Sequence, residues 1–282
     1  IFNAAYVSLV SIGETTGELD SCLLDIIKMK EQEQKIIKKV RIASIYPAIV
    51  GLVLTVMMIG ASFFFLPRFE EMYAEQNLNI PMFTQIVFAI AGFIPQIVII
   101  AIALFIVVAF LRKRVSTVNR IYIGIRDKLL LTTPILKSIT SSLYMYYFSS
   151  TVSLMLKNGI RLSDTLSLAG RSINNIYVRS EIENIGQLMI HGLSFSEAMA
   201  KQENFDDVLI NITHTGEESG QMVFALTKVS EYYDTEVNNK IDSLMEVIPS
   251  ASIILIGLIA APIIIAAYLP ILEISSGSVL DL

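Results

Sequence analysis

The sequence predicts an all-α membrane protein with a duplicated cytoplasmic helical-bundle domain and three transmembrane helices. The chain has 282 residues, of which 54% are hydrophobic and 17% charged, and its mean hydropathy is +0.62. About a quarter of the residues are charged in an average soluble domain. Three long segments carry no charged side chain, and a glycine–glutamate motif occurs twice. Helical periodicity and helix-capping signals occupy most of the remaining chain.

Net charge and cysteine content disfavour several other classes of protein. The net charge is −5, from 21 basic and 26 acidic residues. Because there is no basic excess, we expect no nucleic-acid partner. The single cysteine, Cys22, excludes an intramolecular disulfide framework, and we expect it to be a buried free thiol. The first residues do not have the basic region and cleavage site of a signal peptide.

Three uncharged segments are long enough to cross a bilayer, which takes about 20 helical residues. They are residues 47–66, 82–111 and 249–269. The second segment is longer than a bilayer requires, so we expect its first turns to protrude or Pro95 to kink it. Pro262 predicts a kink in the third segment. Further prolines mark the helix-to-membrane junctions and the span ends, namely Pro47, Pro67, Pro249 and Pro270.

The basic residues predict the orientation of these three spans. Six lie between Lys28 and Arg41 and seven between Arg112 and Lys137, whereas residues 67–81 hold only Arg68. The positive-inside rule therefore places both basic stretches in the cytoplasm. Contact with anionic lipid headgroups is an additional role that we expect for them. The resulting prediction is that residues 1–46 and 112–248 are cytoplasmic, and that the loop 67–81 and the tail 270–282 are external.

The duplicated motif consists of two glycines that flank a glutamate, and its copies are 203 positions apart. The first copy has Gly13, Glu14 and Gly17, and the second has Gly216, Glu217 and Gly220. We expect each pair to flank a tight segment between two helices, because glycine permits positive φ and close backbone approach. Three roles remain open for the glutamates: capping the helix junction, contacting a partner, or binding a cation with other acids.

Residues before each motif indicate that the two copies differ in length. About 75 residues, from about Ser141, precede the second motif, but only twelve precede the first. We therefore expect residues 1–46 to be the C-terminal part of a first helical domain whose N-terminal half is missing from this sequence. Residues 112–248 would form the second domain.

Helix signals are frequent within this second domain. Apolar and aromatic residues occur at helical spacing over 142–156, and Asn158-Gly159 is typical of a helix end. Ser163-Asp164 predicts the next helix start, and His191-Gly192 another end. Ser194 and Glu197 form a predicted capping box. After Gly220, one apolar helical face is formed by Met222, Leu226, Val229, Tyr233, Val237, Ile241 and Leu244. We expect this helix to continue into the third span and to transmit motion of the cytoplasmic domain.

Recognised catalytic motifs do not occur in the sequence. The only histidines are His191 and His214, and there is no phosphate-binding loop, zinc-protease motif or nucleophile elbow. We expect no catalytic residue, no cofactor and no metal site, and we interpret the aromatic residues of 142–148 as core. No ionisable residue lies deep in any of the three spans, which disfavours an ion-coupled transporter. An oligomeric transporter or channel remains the alternative function.

Four features together resemble one known family. They are the duplicated motif, Tyr46-Pro47, Asn79-Ile80-Pro81-x-x-Thr84 and the closing Tyr268-Leu269-Pro270-Ile271. The chain resembles the inner-membrane platform proteins of type IV pilus and type II secretion machines, the PilC/GspF family, which includes competence-pilus versions. The resemblance covers essentially the whole chain, apart from the missing first half of the first domain.

This resemblance implies a non-enzymatic role. Its members are multi-pass proteins of the bacterial inner membrane, with the N-terminal side in the cytoplasm. The family implies a homo-oligomer that couples a cytoplasmic hexameric assembly ATPase to the insertion of pilin or pseudopilin subunits into a filament. Other inner-membrane assembly proteins are further implied partners.

Overall fold

The computed structural model describes residues 4–16, 19–65 and 116–275, together with scattered positions between 67 and 110. These residues form helices joined by short turns and contain no strand, which confirms the all-α prediction for this part of the chain. The helices are α1 (Ala4–Thr16), α2 (Leu19–Gly60), α3 (Ser116–Thr132), α4 (Pro134–Lys157), α5 (Leu162–Ser172), α6 (Ile176–Ile190), α7 (Phe195–Met199), α8 (Asp207–Glu218) and α9 (Met222–Ser275). A π-helical turn, Ala61–Phe65, directly follows α2.

The chain divides into two compact units. Residues 1–40 and 120–243 form the first unit, and residues 41–119 and 244–282 form the second. The division falls within the two longest helices, α2 and α9. Both predicted cytoplasmic segments thus contribute to the first unit.

The core of the first unit is built around buried aromatic and aliphatic side chains. Phe148 of α4 is fully buried, and its ring lies edge-on to Phe205 with 5.0 Å between the ring centroids. Tyr146 is also buried, while Tyr144 and Tyr147 are partly buried. The interpretation of these aromatic residues as core is therefore confirmed.

Most of the predicted helix ends are confirmed. Helix α4 ends at Asn158 with Gly159 at φ +78°, and α6 ends at His191 with Gly192 at φ +96°. The capping box of Ser194 is present at the start of α7.

The predicted cap at Ser163-Asp164 is wrong. Helix α5 begins at Leu162, and its N-cap is Arg161, which makes no side-chain capping bond. Asp164 instead lies in the first helical turn, where its negative charge interacts favourably with the positive end of the helix dipole.

The helical segments of the two copies pack against each other within the first unit. Leu9 of α1 shares a hydrophobic cluster with Met155 and Ile160. Cys22 is a buried free thiol, as predicted, and its Sγ donates to Asn158 Oδ1 at 3.0 Å. Lys157 forms an ion pair with Asp25 of α2, with an Nζ–Oδ2 distance of 2.6 Å.

Helices α2 and α9 run parallel and in the register of the sequence repeat. Lys39 Nζ lies 3.0 Å from Asp242 Oδ2, and these residues are 203 positions apart. About two turns earlier, Gln32 Nε2 donates to Asp234 Oδ2 at 3.2 Å. The order of the contacts is the same in both helices, and the bonded residues are 202 and 203 positions apart, so positions of the two copies that are equivalent to within one residue face each other.

The second unit exposes apolar side chains along its helices. Two helices, covering Leu19–Phe64 and Met222–Pro262, are long and apolar enough to cross a membrane. Ile254 and Leu258 of α9 are 72% and 71% exposed. Pro47 lies inside α2, and Pro249, Pro262 and Pro270 lie inside α9.

Much of the second predicted span is outside the described residues. The positions that are described there are helical and expose apolar side chains, as at Phe93, Ile97 and Leu104. Pro67 is exposed. Pro95, most of the loop 67–81 and the tail beyond Ser275 also lie outside the described residues. The kinks at Pro95 and Pro262 stay predictions.

Candidate functional site

The second copy of the motif lies where α8 meets the start of α9. The connection between these helices is shorter than we predicted, because Gly216 and Glu217 are inside α8 and only residues 219–221 link the helices. A Cβ atom on Gly216 would lie 2.4 Å from the Cβ of Ala225. Real Cβ atoms do not approach so closely, so glycine is what allows α8 to pack directly on α9.

Gly220 makes the turn between these two helices. Its φ is +69°, in the left-handed region that side chains rarely adopt. Its N–H donates to the carbonyl oxygen of Glu217 at 3.3 Å, which closes the end of α8. The two glycines of the motif therefore have different tasks, close packing and reversal of the chain.

Glu217 caps a third helix, α7. Its carboxylate accepts hydrogen bonds from the N–H of Phe195 at 2.8 Å, from the N–H of Ser196 at 3.1 Å and from the hydroxyl of Ser196 at 2.7 Å. Backbone N–H groups at a helix start have no partner within the helix, so the carboxylate satisfies them. Its negative charge also interacts favourably with the positive end of the helix dipole.

The pKa of Glu217 is lowered by this arrangement. Partial burial raises the pKa of the carboxyl group, but the hydrogen bonds from Phe195 and Ser196 outweigh burial and hold the pKa below its ordinary value. Glu217 therefore favours its ionised form, and its carboxylate links α8 to α7.

Tyr233 adds a bond that sequence reasoning missed. Its hydroxyl donates to Asp206 Oδ1, and the same carboxylate oxygen accepts the N–H of Leu209 at 3.1 Å and so caps α8. Asp206 stands directly before an apolar helical pattern, which is a signal for an N-cap. The bond from Tyr233 had no local signal, because 27 residues separate the two side chains. We call Ser196, Gly216, Glu217, Gly220 and Ala225, together with Asp206 and Tyr233, the helix junction.

The first copy of the motif shares the close packing of the second. A Cβ on Gly13 would lie 3.0 Å from the Cα of Leu19 and 3.2 Å from the side chain of Cys22, so α1 also packs closely on α2. Glu14 is exposed. Gly17 lies outside the described residues.

Among the described residues, no three His, Cys, Asp or Glu side chains are grouped so that they could hold a metal ion. His214 Nδ1 lies 3.4 Å from the hydroxyl of Ser196, which is itself bonded to Glu217. Its Nε2 lies 3.6 Å from Glu218, on the exposed side of α8. These contacts join neighbouring helices within the junction.

Long helices that begin in a bundle and continue into exposed apolar segments are typical of membrane-associated helical proteins. The family model described as Type II secretion system (T2SS), protein F, matches residues 1–67 and 148–270, which is more than half of the chain. The chain therefore belongs to the protein F family of type II secretion systems, and the resemblance seen in the sequence is confirmed.

Similar proteins are found among pilus and secretion proteins. The chain is 30% identical to the type IV pilus assembly protein TapC of Aeromonas hydrophila, over 97% of this chain and 66% of that protein. It is 26% identical to the type IV pilus assembly protein PilC of Pseudomonas aeruginosa, over 98% of this chain and 74% of the relative. The chain is 23% identical to the type II secretion system protein F of Vibrio cholerae, over 98% of this chain and 68% of that protein. The chain thus spans about two thirds of the length of TapC.

Proposed function

We propose that this protein is the inner-membrane platform of a type IV pilus, competence pilus or type II secretion machine. In this role it couples a cytoplasmic assembly ATPase to the assembly of pilin or pseudopilin subunits into a filament. It acts as a homo-oligomer, together with other inner-membrane assembly proteins, and it is not an enzyme. Membership of the protein F family and the pilus-assembly and secretion names of the relatives support this role.

The observation that carries the proposal is the continuity of α9. This helix begins at the helix junction with Met222, is buried along one face of the bundle, and continues without a break to Ser275. Its later part exposes large apolar side chains such as Ile254 and Leu258. The core helix of a soluble protein would bury such side chains, so their exposure supports a transmembrane segment.

The proposed topology has three transmembrane helices, at residues 47–66, 82–111 and 249–269. Residues 1–46 and 112–248 lie in the cytoplasm, and the loop 67–81 and the tail 270–282 lie outside. The charge distribution supports this orientation. A duplicated architecture is supported by the two segments that the family model matches, since each holds one motif and one apolar segment.

In the proposed mechanism, the ATPase acts on the helical bundle, and the long helices relay the resulting movement to the first and third spans. Because α2 and α9 are paired through Gln32–Asp234 and Lys39–Asp242, they would move together within the bundle. A continuous helix transmits a tilt or a rotation along its axis, whereas a flexible segment does not.

Interrupting α9 tests this mechanism. Residues 243–246 are replaced by four glycines in the complete protein, and the variant is expressed in a strain lacking the native gene. The matched control has four alanines, which remove the same side chains. Alanine favours the helix over glycine by about 1 kcal/mol per residue, so the control helix stays intact. We expect both variants in the membrane, and filaments only with the alanine variant. Normal filament numbers with the glycine variant would contradict the relay.

A further inference from the structure

Helix α3 exposes a row of large apolar side chains. Ile121, Ile125 and Leu129 are four residues apart and therefore share one helical face, where they are 57%, 57% and 53% exposed. Lys128 lies on this face and is exposed. The only acidic residue of α3 is Asp127, which is on the other side.

Buried hydrogen bonds fix the rotation of α3 about its axis. Asp127 is fully buried, and its Oδ2 accepts the N–H of Ile176 at 2.9 Å. Its backbone oxygen accepts the side-chain amide of Asn175 at 3.2 Å. Arg126 of the same helix donates to Asp127 Oδ1 and would turn with it, but turning the apolar row towards the bundle would separate Oδ2 from the N–H of Ile176. Leaving buried polar groups without their partners is costly. The exposure of the row is therefore a built-in property of this helix.

The position of α3 in the sequence suggests what covers the row. The helix begins at Ser116, five residues beyond the end of the proposed second span, and the connecting residues include Arg112, Lys113 and Arg114. A helix with one apolar face and flanking basic residues is typical of segments that lie in the plane of a membrane surface. Basic residues there are attracted to anionic lipids.

We propose that α3 lies on the cytoplasmic surface of an anionic bilayer, with Ile121, Ile125 and Leu129 inserted among the lipid headgroups. Lys128 binds a lipid phosphate group. A second copy of this chain is a poorer occupant, because symmetric pairing of this face would bring Lys128 of both copies together without an acidic partner from α3. This inference rests on the membrane topology proposed above.

Spin labels in the complete protein test the proposal. Single cysteines are introduced as Ile121→Cys, Ile125→Cys and Leu129→Cys, and Cys22 is retained because it is buried. The protein is reconstituted into vesicles of phosphatidylglycerol and phosphatidylcholine. Collision rates with oxygen, which concentrates in lipid, and with a water-soluble nickel complex are then measured. Glu218→Cys is the reference for water, because the Glu218 side chain is 71% exposed, and Leu258→Cys is the reference for lipid.

We expect the ratio of oxygen to nickel collisions at all three α3 positions to be at least threefold above that at position 218. The ratio should fall towards the value at position 218 in vesicles of phosphatidylcholine alone and in the Lys128→Glu variant. Water-like ratios at α3 would overturn the proposal, and so would exclusion of both reagents with spin–spin broadening, which indicates a second copy. If position 258 is also water-like, the proposed topology fails as well. A lipid-like position 258 confines the failure to α3.

Discussion

At the scale of single residues, Glu217 of α8 bonds to residues of α7 that are more than twenty positions away in the sequence. One carboxylate satisfies the N–H groups of both Phe195 and Ser196 at the start of α7. Helix α7 has only five residues, so its stability depends on its caps more than that of a long helix does. Glu217 therefore fixes the position of α7 against α8.

Removal of this carboxylate should destabilise the bundle locally. We expect Glu217→Ala to lower the free energy of unfolding by about 1–2 kcal/mol, the usual cost of losing a helix cap. Glu217→Gln should cost less, because its amide oxygen still accepts one bond. Hydrogen exchange at Phe195 and Ser196 measures the effect. Glu218→Ala is the control, since that neighbouring side chain is exposed. Unchanged protection in Glu217→Ala would refute the capping role.

The lowered pKa of Glu217 predicts a pH dependence with a definite sign. A carboxyl group whose pKa is lower in the folded than in the unfolded protein stabilises the fold above the unfolded value of about 4.3. That stabilisation is lost as pH falls through the lower, folded pKa. The difference in unfolding free energy between the wild type and Glu217→Gln should thus be constant between pH 7 and pH 5 and shrink below about pH 4. Thermal unfolding in detergent at several pH values measures it, and a difference that grows on acidification would contradict the assignment.

Local signals explain what could be predicted at this scale. The capping box of Ser194 and the helix ends at Gly159 and Gly192 depend on residues within four positions, and they were predicted correctly. The partners of Glu217 could not be predicted, because they are brought to it only by the packing of α7 on α8. For the same reason the three roles of the motif glutamate could not be separated from the sequence.

At the scale of helices, Gly216 sets the distance between α8 and α9. The absence of a side chain there lets Ala225 contact the backbone of α8, which places the start of the long helix. Gly13 has the corresponding task between α1 and α2. The repeated glycine is therefore a packing position in both copies.

Adding one methyl group at Gly216 should separate the two helices. We expect Gly216→Ala to destabilise the bundle by about 1–3 kcal/mol, since overpacking forces the backbone to shift. Gly186→Ala in α6 is the matched control, because the space around its Cβ position is empty. That change should stabilise by about 0.5–1 kcal/mol. Denaturant unfolding compares the variants, and the additional change Ala225→Gly should restore part of the loss in Gly216→Ala. Equal effects at Gly216 and Gly186 would contradict the packing role.

Helix type could be predicted better than helix contacts. The spacing of Leu226, Val229 and Tyr233 identified the buried face of α9, since all three are fully buried. The start of α5 was misplaced because a polar pair resembles a cap whether it lies before the helix or in its first turn. The pairing of Lys39 with Asp242 had no local signal, although both positions belong to the same point of the repeat.

At the scale of the whole molecule, the two copies of the repeat form one helical unit. Helices α1 and α2 supply contacts to α4, α5 and α9, so neither copy is complete without the other. The apolar parts of α2 and α9 belong to the second unit. Under the proposed function, this unit is the membrane part and the first unit receives the force of the ATPase.

The proposed topology makes a direct prediction for reporter fusions. Alkaline phosphatase, which is active only outside the cytoplasm, should be active when fused after residue 75 or 275 and inactive after residue 137. Green fluorescent protein, which fluoresces in the cytoplasm, should give the opposite result at each position. The same fusions report expression, so an inactive enzyme can be distinguished from an absent one. Phosphatase activity at residue 137 would contradict the three-span arrangement.

The most direct test of the platform role is purification of the complete protein from native membranes in mild detergent, with copurifying proteins identified by mass spectrometry. The proposed function predicts recovery of an assembly ATPase and of prepilin-like subunits, both lost when the bundle is destabilised by Gly216→Ala. A preparation that contains neither, under conditions that preserve another membrane complex of the same cells, would contradict it.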